Sequence, residues 1–146
     1  MERESQTVDI EIREMSIQDY EQAVELWNRM DGLALSEADS KERIEAYLLR
    51  NEGLSFVAAA KERIVGTILC GHDGRRGFIY HVAVSPDYRG RKLGNRLVEK
   101  SLEQLKVQGI DKCHLFVLED NALGGKFWSA VGWQKRNGFY IYSKNV

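Results

Sequence analysis

The chain has 146 residues, 43% of them hydrophobic, 29% charged and 10% aromatic, with a formal net charge of -1. That length and balance fit one globular domain with a real core and exclude a disordered chain. The near-zero charge supplies no broad attraction for a polyanion, so neither nucleic acid nor a membrane is expected as a partner.

The opening residues Met1 to Thr7 are charged where a signal peptide needs an apolar core, and no run of about 18 apolar residues occurs. A cytoplasmic protein with a flexible segment over residues 1–7 is expected. Val8 to Arg13 alternates apolar and charged side chains with the period of a half-buried strand. Ser16 and Asp19 are spaced to cap a following helix, with Met15 and Tyr20 as its hydrophobic staple and Ile17, Tyr20, Val24 and Trp27 on one face. An irregular linker, Asp31 to Leu35, leads to a second helix over Ser40 to Arg50.

Leu54 to Ala60 and Ile64 to Gly71 are apolar runs joined by the polar turn Lys61-Glu62-Arg63, the pattern of a hairpin. Gly77 to Val84 adds a third strand. Leu93, Leu97, Val98, Leu102 and Leu105 recur at helical spacing up to Gly109. The spacing then predicts a strand from Cys113 to Leu118, a short helix from Asn121 to Val131 and a closing strand from Phe139 to Tyr142. The two cysteines, Cys70 and Cys113, lie far apart in apolar stretches with no Cys-x-x-Cys spacing and read as buried, reduced thiols.

The chemistry concentrates between Tyr80 and Leu97: a strand, a basic turn with glycine, then a long helix. The unpaired N–H groups of a helix's first turn carry the positive end of its dipole and can cradle phosphate oxygens. Gly90 lets the backbone come close, and Arg89, Arg91 and Lys92 add positive charge. A capped turn with solvated cations is the plain structural alternative, because short glycine motifs arise by chance. The segment lacks the Gly-Lys-Ser/Thr ending of a P-loop, and Gly71, Gly74 and Gly77 lack dinucleotide-fold spacing.

Seen whole, the segment resembles the acetyl-CoA-binding motif of the GNAT superfamily of N-acetyltransferases, and the resemblance runs over nearly the whole chain. Val82-Ala83-Val84-Ser85-Pro86 is similar to the family's valine-rich strand, whose backbone pairs with pantetheine; Arg89, Gly90, Arg91, Lys92, Leu93, Gly94 and Asn95 fall in its pyrophosphate loop. Asn121 and the run Phe127 to Trp133 resemble its later signature, which places Asn121 and Phe127 beside the cofactor. Asp87 and Lys92 depart from the usual loop pattern. Asp73 to Gly77 and Glu119-Asp120-Asn121 further resemble small bacterial acetyltransferases of the YpeA type.

The resemblance implies one mixed α/β domain over residues 1–146: a mostly antiparallel sheet of about six to seven strands with about four helices, splayed at the cofactor site between the strands ending near Val84 and Leu118. It implies acetyl-CoA as co-substrate, no metal, and an amine on a small molecule, amino acid or protein N-terminus as acceptor, attacking directly in a ternary complex. A monomer or homodimer is expected. Trp27, Met30, Leu33 and Leu35 fall where the family builds its acceptor pocket, with core packing the alternative for Trp27 and Met30, and Tyr80 is a further substrate-side candidate. The family's tyrosine acid is replaced by Trp128, so Tyr140, Tyr142 or water is left for that role, and His81, Glu119 or Tyr80 for the base. A non-catalytic acyl-CoA-binding domain of the same fold is the alternative.

Overall fold

The computed structural model describes residues 9–146; the expectations for Val8 and for residues 1–7 lie outside them. Two units are distinguished, one ending at Phe116 and one comprising Val117–Val146. The first holds β1 (Ile10–Glu14), α1 (Tyr20–Asn28), α2 (Lys41–Arg50), β2 (Phe56–Ala60), β3 (Arg63–His72), β4 (Gly77–Val84), α3 (Leu93–Val107) and β5 (Cys113–Leu115). The five strands form one sheet in chain order. Pairing is antiparallel from β1 to β4, whereas β5 runs parallel to β4. A parallel neighbour needs a crossover, and α3 supplies it.

β2 and β3 read as continuous apolar runs because helices cover both of their faces. On one face Leu26 and Trp27 of α1 and Ile44 of α2 pack with Val57, Ala59, Leu69 and Ala83 of the strands. On the other lies α3. Two strand glycines admit it: a Cβ on Gly66 would stand 3.1 Å from Leu97, and one on Gly77 would stand 2.7 Å from Leu105. Ser101 of α3 also donates to the Leu54 carbonyl at 2.8 Å.

Sequence and structure agree on the first hairpin, the strand from Gly77 and all four helices, and the mixed α/β class stands. The strand count is a correction, with five among the described residues against six to seven expected. The strand expected over Cys113 to Leu118 stops at Leu115, and Phe139 to Tyr142 is not a strand. In the second unit only α4 (Ala122–Ala130) is regular, and a strand without a ladder partner has no stability of its own. Cys70 is buried as expected, but Cys113 is only half-buried.

The turn into α1 is fixed by charge. Asp19 accepts two hydrogen bonds of 2.9 Å from the Arg13 guanidinium of β1 and one of 2.9 Å from the Ser16 N–H. Burial pushes this carboxyl up, but those bonds outweigh burial and hold it below its ordinary 3.8. A group lowered on folding contributes stability that is complete above its unfolded value and lost as pH falls towards its folded one. Acid unfolding followed by urea titration should therefore set in below about pH 4, and Asp19→Asn should cost about 1–3 kcal/mol at neutral pH while flattening that decline. A decline of unchanged slope in the variant would assign the acid sensitivity to other carboxylates.

Candidate active site

The register between β3 and β4 slips in the middle of the pair. Leu69 faces Tyr80 and Thr67 faces Ala83, so Ile68 alone stands against both His81 and Val82. Two residues against one is a β-bulge. His81 takes φ of 51°, a left-handed conformation that costs a side-chain-bearing residue about 1–3 kcal/mol unless its surroundings hold it. They do so here. The Thr67 hydroxyl donates to the His81 carbonyl at 2.8 Å and accepts at 2.8 Å from the Trp27 indole N–H. Trp27 and Thr67 are both fully buried, so the chain of bonds is shielded from water.

The bulge decides where side chains go. Leu69 and Ala83 both belong to the α1 and α2 side of the sheet. The extra residue brings two consecutive side chains to that side: Tyr80, opposite Leu69, and His81, whose ring lies 4.7 Å from that of Trp27. His81 Nε2 is 2.7 Å from Asp39 Oδ1, in the linker between α1 and α2. Tyr80 is 41% exposed, and partial burial pushes its phenol above the ordinary value. Met30 and Leu33 pack partly buried against the same core. Of the two readings of Trp27, pocket wall or core packing, the structure supports packing: it is sealed in the core and holds the bulge.

Beyond the bulge, β4 loses its outer partner. Parallel pairing joins Gly77, Phe78 and Ile79 to Cys113, His114 and Leu115 and stops there. Tyr80 to Val84 thus present an edge with no β5 ladder among the described residues. The chain continues through a 3-10 turn, Pro86–Tyr88, and an extended Arg89. Gly90 at φ 82° and Lys92 at φ 61° then turn it into α3.

The start of α3 is bare. No side chain caps it and its first turn carries no acidic residue, whereas Ser40 caps α2 and Asn121 caps α4. Its free N–H groups and dipole favour an anion. Arg91 is exposed and lies over the Tyr88 ring at 5.1 Å, while Arg89 reaches back to Met30 Sδ at 3.6 Å. Leu93 is buried, so its side chain anchors the helix start while its backbone faces the turn. Gly94 and Asn95 follow in the first turn of α3, half-buried.

In the second unit Asn121 Oδ1 accepts from the Gly124 N–H at 3.0 Å, which makes it the cap of α4. Phe127 and Trp128 meet edge to face at 4.9 Å, and Trp128 meets Trp133 at 5.1 Å. Glu119 is exposed, as are Tyr140 and Tyr142 at 89% and 92%. Sequence reasoning passed over Asp39 and Thr67. Ser36-Glu37-Ala38-Asp39 is a capping-box pattern that could have located the turn, and a lone threonine in an apolar strand signals a buried hydrogen bond.

Residues 18–133 match the model of the Acetyltransferase (GNAT) family. An acetyltransferase of Sodalis glossinidius is 38% identical over 137 residues, covering 94% of this chain and 96% of that protein. The chain belongs to the GNAT family. It is an acetyl-CoA-dependent acetyltransferase. An acetyltransferase of Pectobacterium atrosepticum is also 38% identical, over 112 residues, 77% of this chain and 79% of that protein. Among solved structures, the PaiA N-acetyltransferase of Thermoplasma acidophilum in complex with coenzyme A superposes with a TM-score of 0.78 at 23% identity, covering 90% of this chain and 93% of that one. That likeness carries the fold alone.

Thr67 tests how the GNAT site is held. Thr67→Val keeps the shape but leaves the buried Trp27 N–H and His81 carbonyl without a partner, and urea unfolding should show a loss of about 1–3 kcal/mol. Wild-type stability in this variant would mean that the bulge is held by other contacts.

Proposed function

We propose that this enzyme transfers the acetyl group of acetyl-CoA to a primary amine of a small molecule, an amino acid or a peptide N-terminus, by direct attack in a ternary complex. The observation that carries this reading is the continuous run from an unpaired strand edge, Tyr80 to Val84, into the uncapped start of α3. A backbone edge suits the amides of a pantetheine arm, and a bare helix start flanked by Arg89, Arg91 and Lys92 suits a pyrophosphate. In this reading Val82, Ala83 and Val84 hold the arm and Arg89 to Asn95 the phosphates.

When bound, the co-substrate supplies an activated thioester. The protein's own part is to orient the acceptor, exclude water and move protons. The acceptor side is the α1 and α2 face of β4, where Tyr80 and His81 stand together near Met30 and Leu33. An aminoglycoside acetyltransferase solved with a bisubstrate analogue shares the fold, with a TM-score of 0.72 at 19% identity, and illustrates an amine acceptor on this scaffold. His81 is the proton acceptor in this reading, ahead of Glu119. Water serves as the proton donor, since Tyr140 and Tyr142 are almost fully exposed and a departing thiolate is only moderately basic at neutral pH.

Acetyl-CoA at about a hundredfold over its dissociation constant should stabilise the protein by about 2.7 kcal/mol and raise its melting temperature. Gly90→Val should weaken that binding. A Cβ at this position meets nothing within 4 Å, yet φ of 82° is strained for valine, so the loop should shift while the core stays intact. No thermal shift with the wild-type protein, or equal affinity in the variant, would place the phosphates elsewhere.

A further inference from the structure

We propose that Asp39 is a positioning residue that makes His81 Nδ1 the group that takes the proton from the acceptor amine. The proposal rests on the reading of this enzyme as an amine acetyltransferase and assigns the residue that prepares its base.

Both partners are held from outside the contact. Asp39 Oδ2 accepts from the Ser36 N–H at 3.0 Å, and its carbonyl accepts from the Tyr20 hydroxyl at 2.6 Å. Oδ1 is left for the imidazole at 2.7 Å. His81 is fixed by the bulge beneath it and by the Trp27 ring beside it. Both side chains are 13% exposed, so the contact is shielded without being sealed. It joins residues 42 apart in sequence, and local turn geometry alone would not produce it.

The tautomer follows from donor chemistry. A carboxylate only accepts, so the proton of neutral His81 sits on Nε2 and the lone pair on Nδ1. Among the described residues Nδ1 has no hydrogen-bond partner, and the only polar side-chain atom there sealed without one is the Tyr47 hydroxyl. Nδ1 is therefore not sealed from solvent. The titratable groups around it are Asp39 from the linker, Tyr20 from α1 behind Asp39, Tyr80 on its own strand, and Tyr47 of α2 near Tyr80. β3 offers only Thr67 and Leu69 here. The step is one proton transfer: an N–H bond of the protonated amine breaks, its electron pair stays on nitrogen for the attack, and an Nδ1–H bond forms. The imidazolium is charge-balanced by Asp39 and returns the proton to solvent.

A purely structural pair would merely staple the linker to the sheet, and two readouts separate the cases. Asp39→Asn in histidine-15N-labelled protein without ligand should lose the Nε2–H tautomer signature that wild-type His81 shows. With an amine that the wild-type enzyme acetylates, the variant should lose about 10- to 100-fold in kcat, while CoA affinity stays within about twofold. His81→Gln should lose about a hundredfold or more, and adding Asp39→Asn to it should cost nothing further, because the two act as one unit. Wild-type kcat in Asp39→Asn, or an additive double variant, overturns the proposal and leaves amine transfer standing. Absence of turnover by the wild-type enzyme over a broad amine panel takes down both.

Discussion

The arrangement of the site depends on a two-against-one mismatch between β3 and β4. An uninterrupted ladder would send Tyr80 and His81 to opposite faces. The extra residue puts both on the side of α1 and α2 and coincides with the end of the β4–β5 ladder. One backbone irregularity thus sets Tyr80 and His81 on one face beside the point where the β4–β5 ladder ends. The left-handed His81 is offset by the buried bonds through Thr67 to Trp27. Trp27 matters here as a donor as well as a large apolar side chain.

α3 works on both sides of that irregularity. Its buried leucines and Ser101 lock it to the sheet, with Gly66 and Gly77 permitting the close approach. Its first turn stays uncapped at the point where β4 delivers the chain. Packing fixes the helix, so its start can be left to an anion instead of a side-chain cap. The left-handed Gly90 and Lys92 set the turn between the two.

The run from Tyr80 to Leu97 was legible because its signals are local: strand pattern, proline, basic glycine turn and helical leucines. Asp39 and Thr67 were not, since their importance lies in partners 42 and 14 residues away. Phe139 to Tyr142 carries the alternation of a strand, but pattern states a preference and a ladder needs a neighbour. Cys113 to Leu118 reads as one apolar run in sequence, and only the register with β4 shows that pairing ends at Leu115. The YpeA-type resemblance and the family match point the same way on chemistry, and the acceptor rests on the geometry of the β4 face.

The central claim is that the open half of β4 and the start of α3 form one binding surface for acetyl-CoA. Backbone hydrogen exchange read by mass spectrometry, with and without saturating CoA, tests it most directly. The account predicts slowed exchange over the segments from Tyr80 to Asn95, with β2 and the far half of α3 unchanged. Slowing confined to other segments, with Tyr80 to Asn95 exchanging as in the free protein, would contradict it.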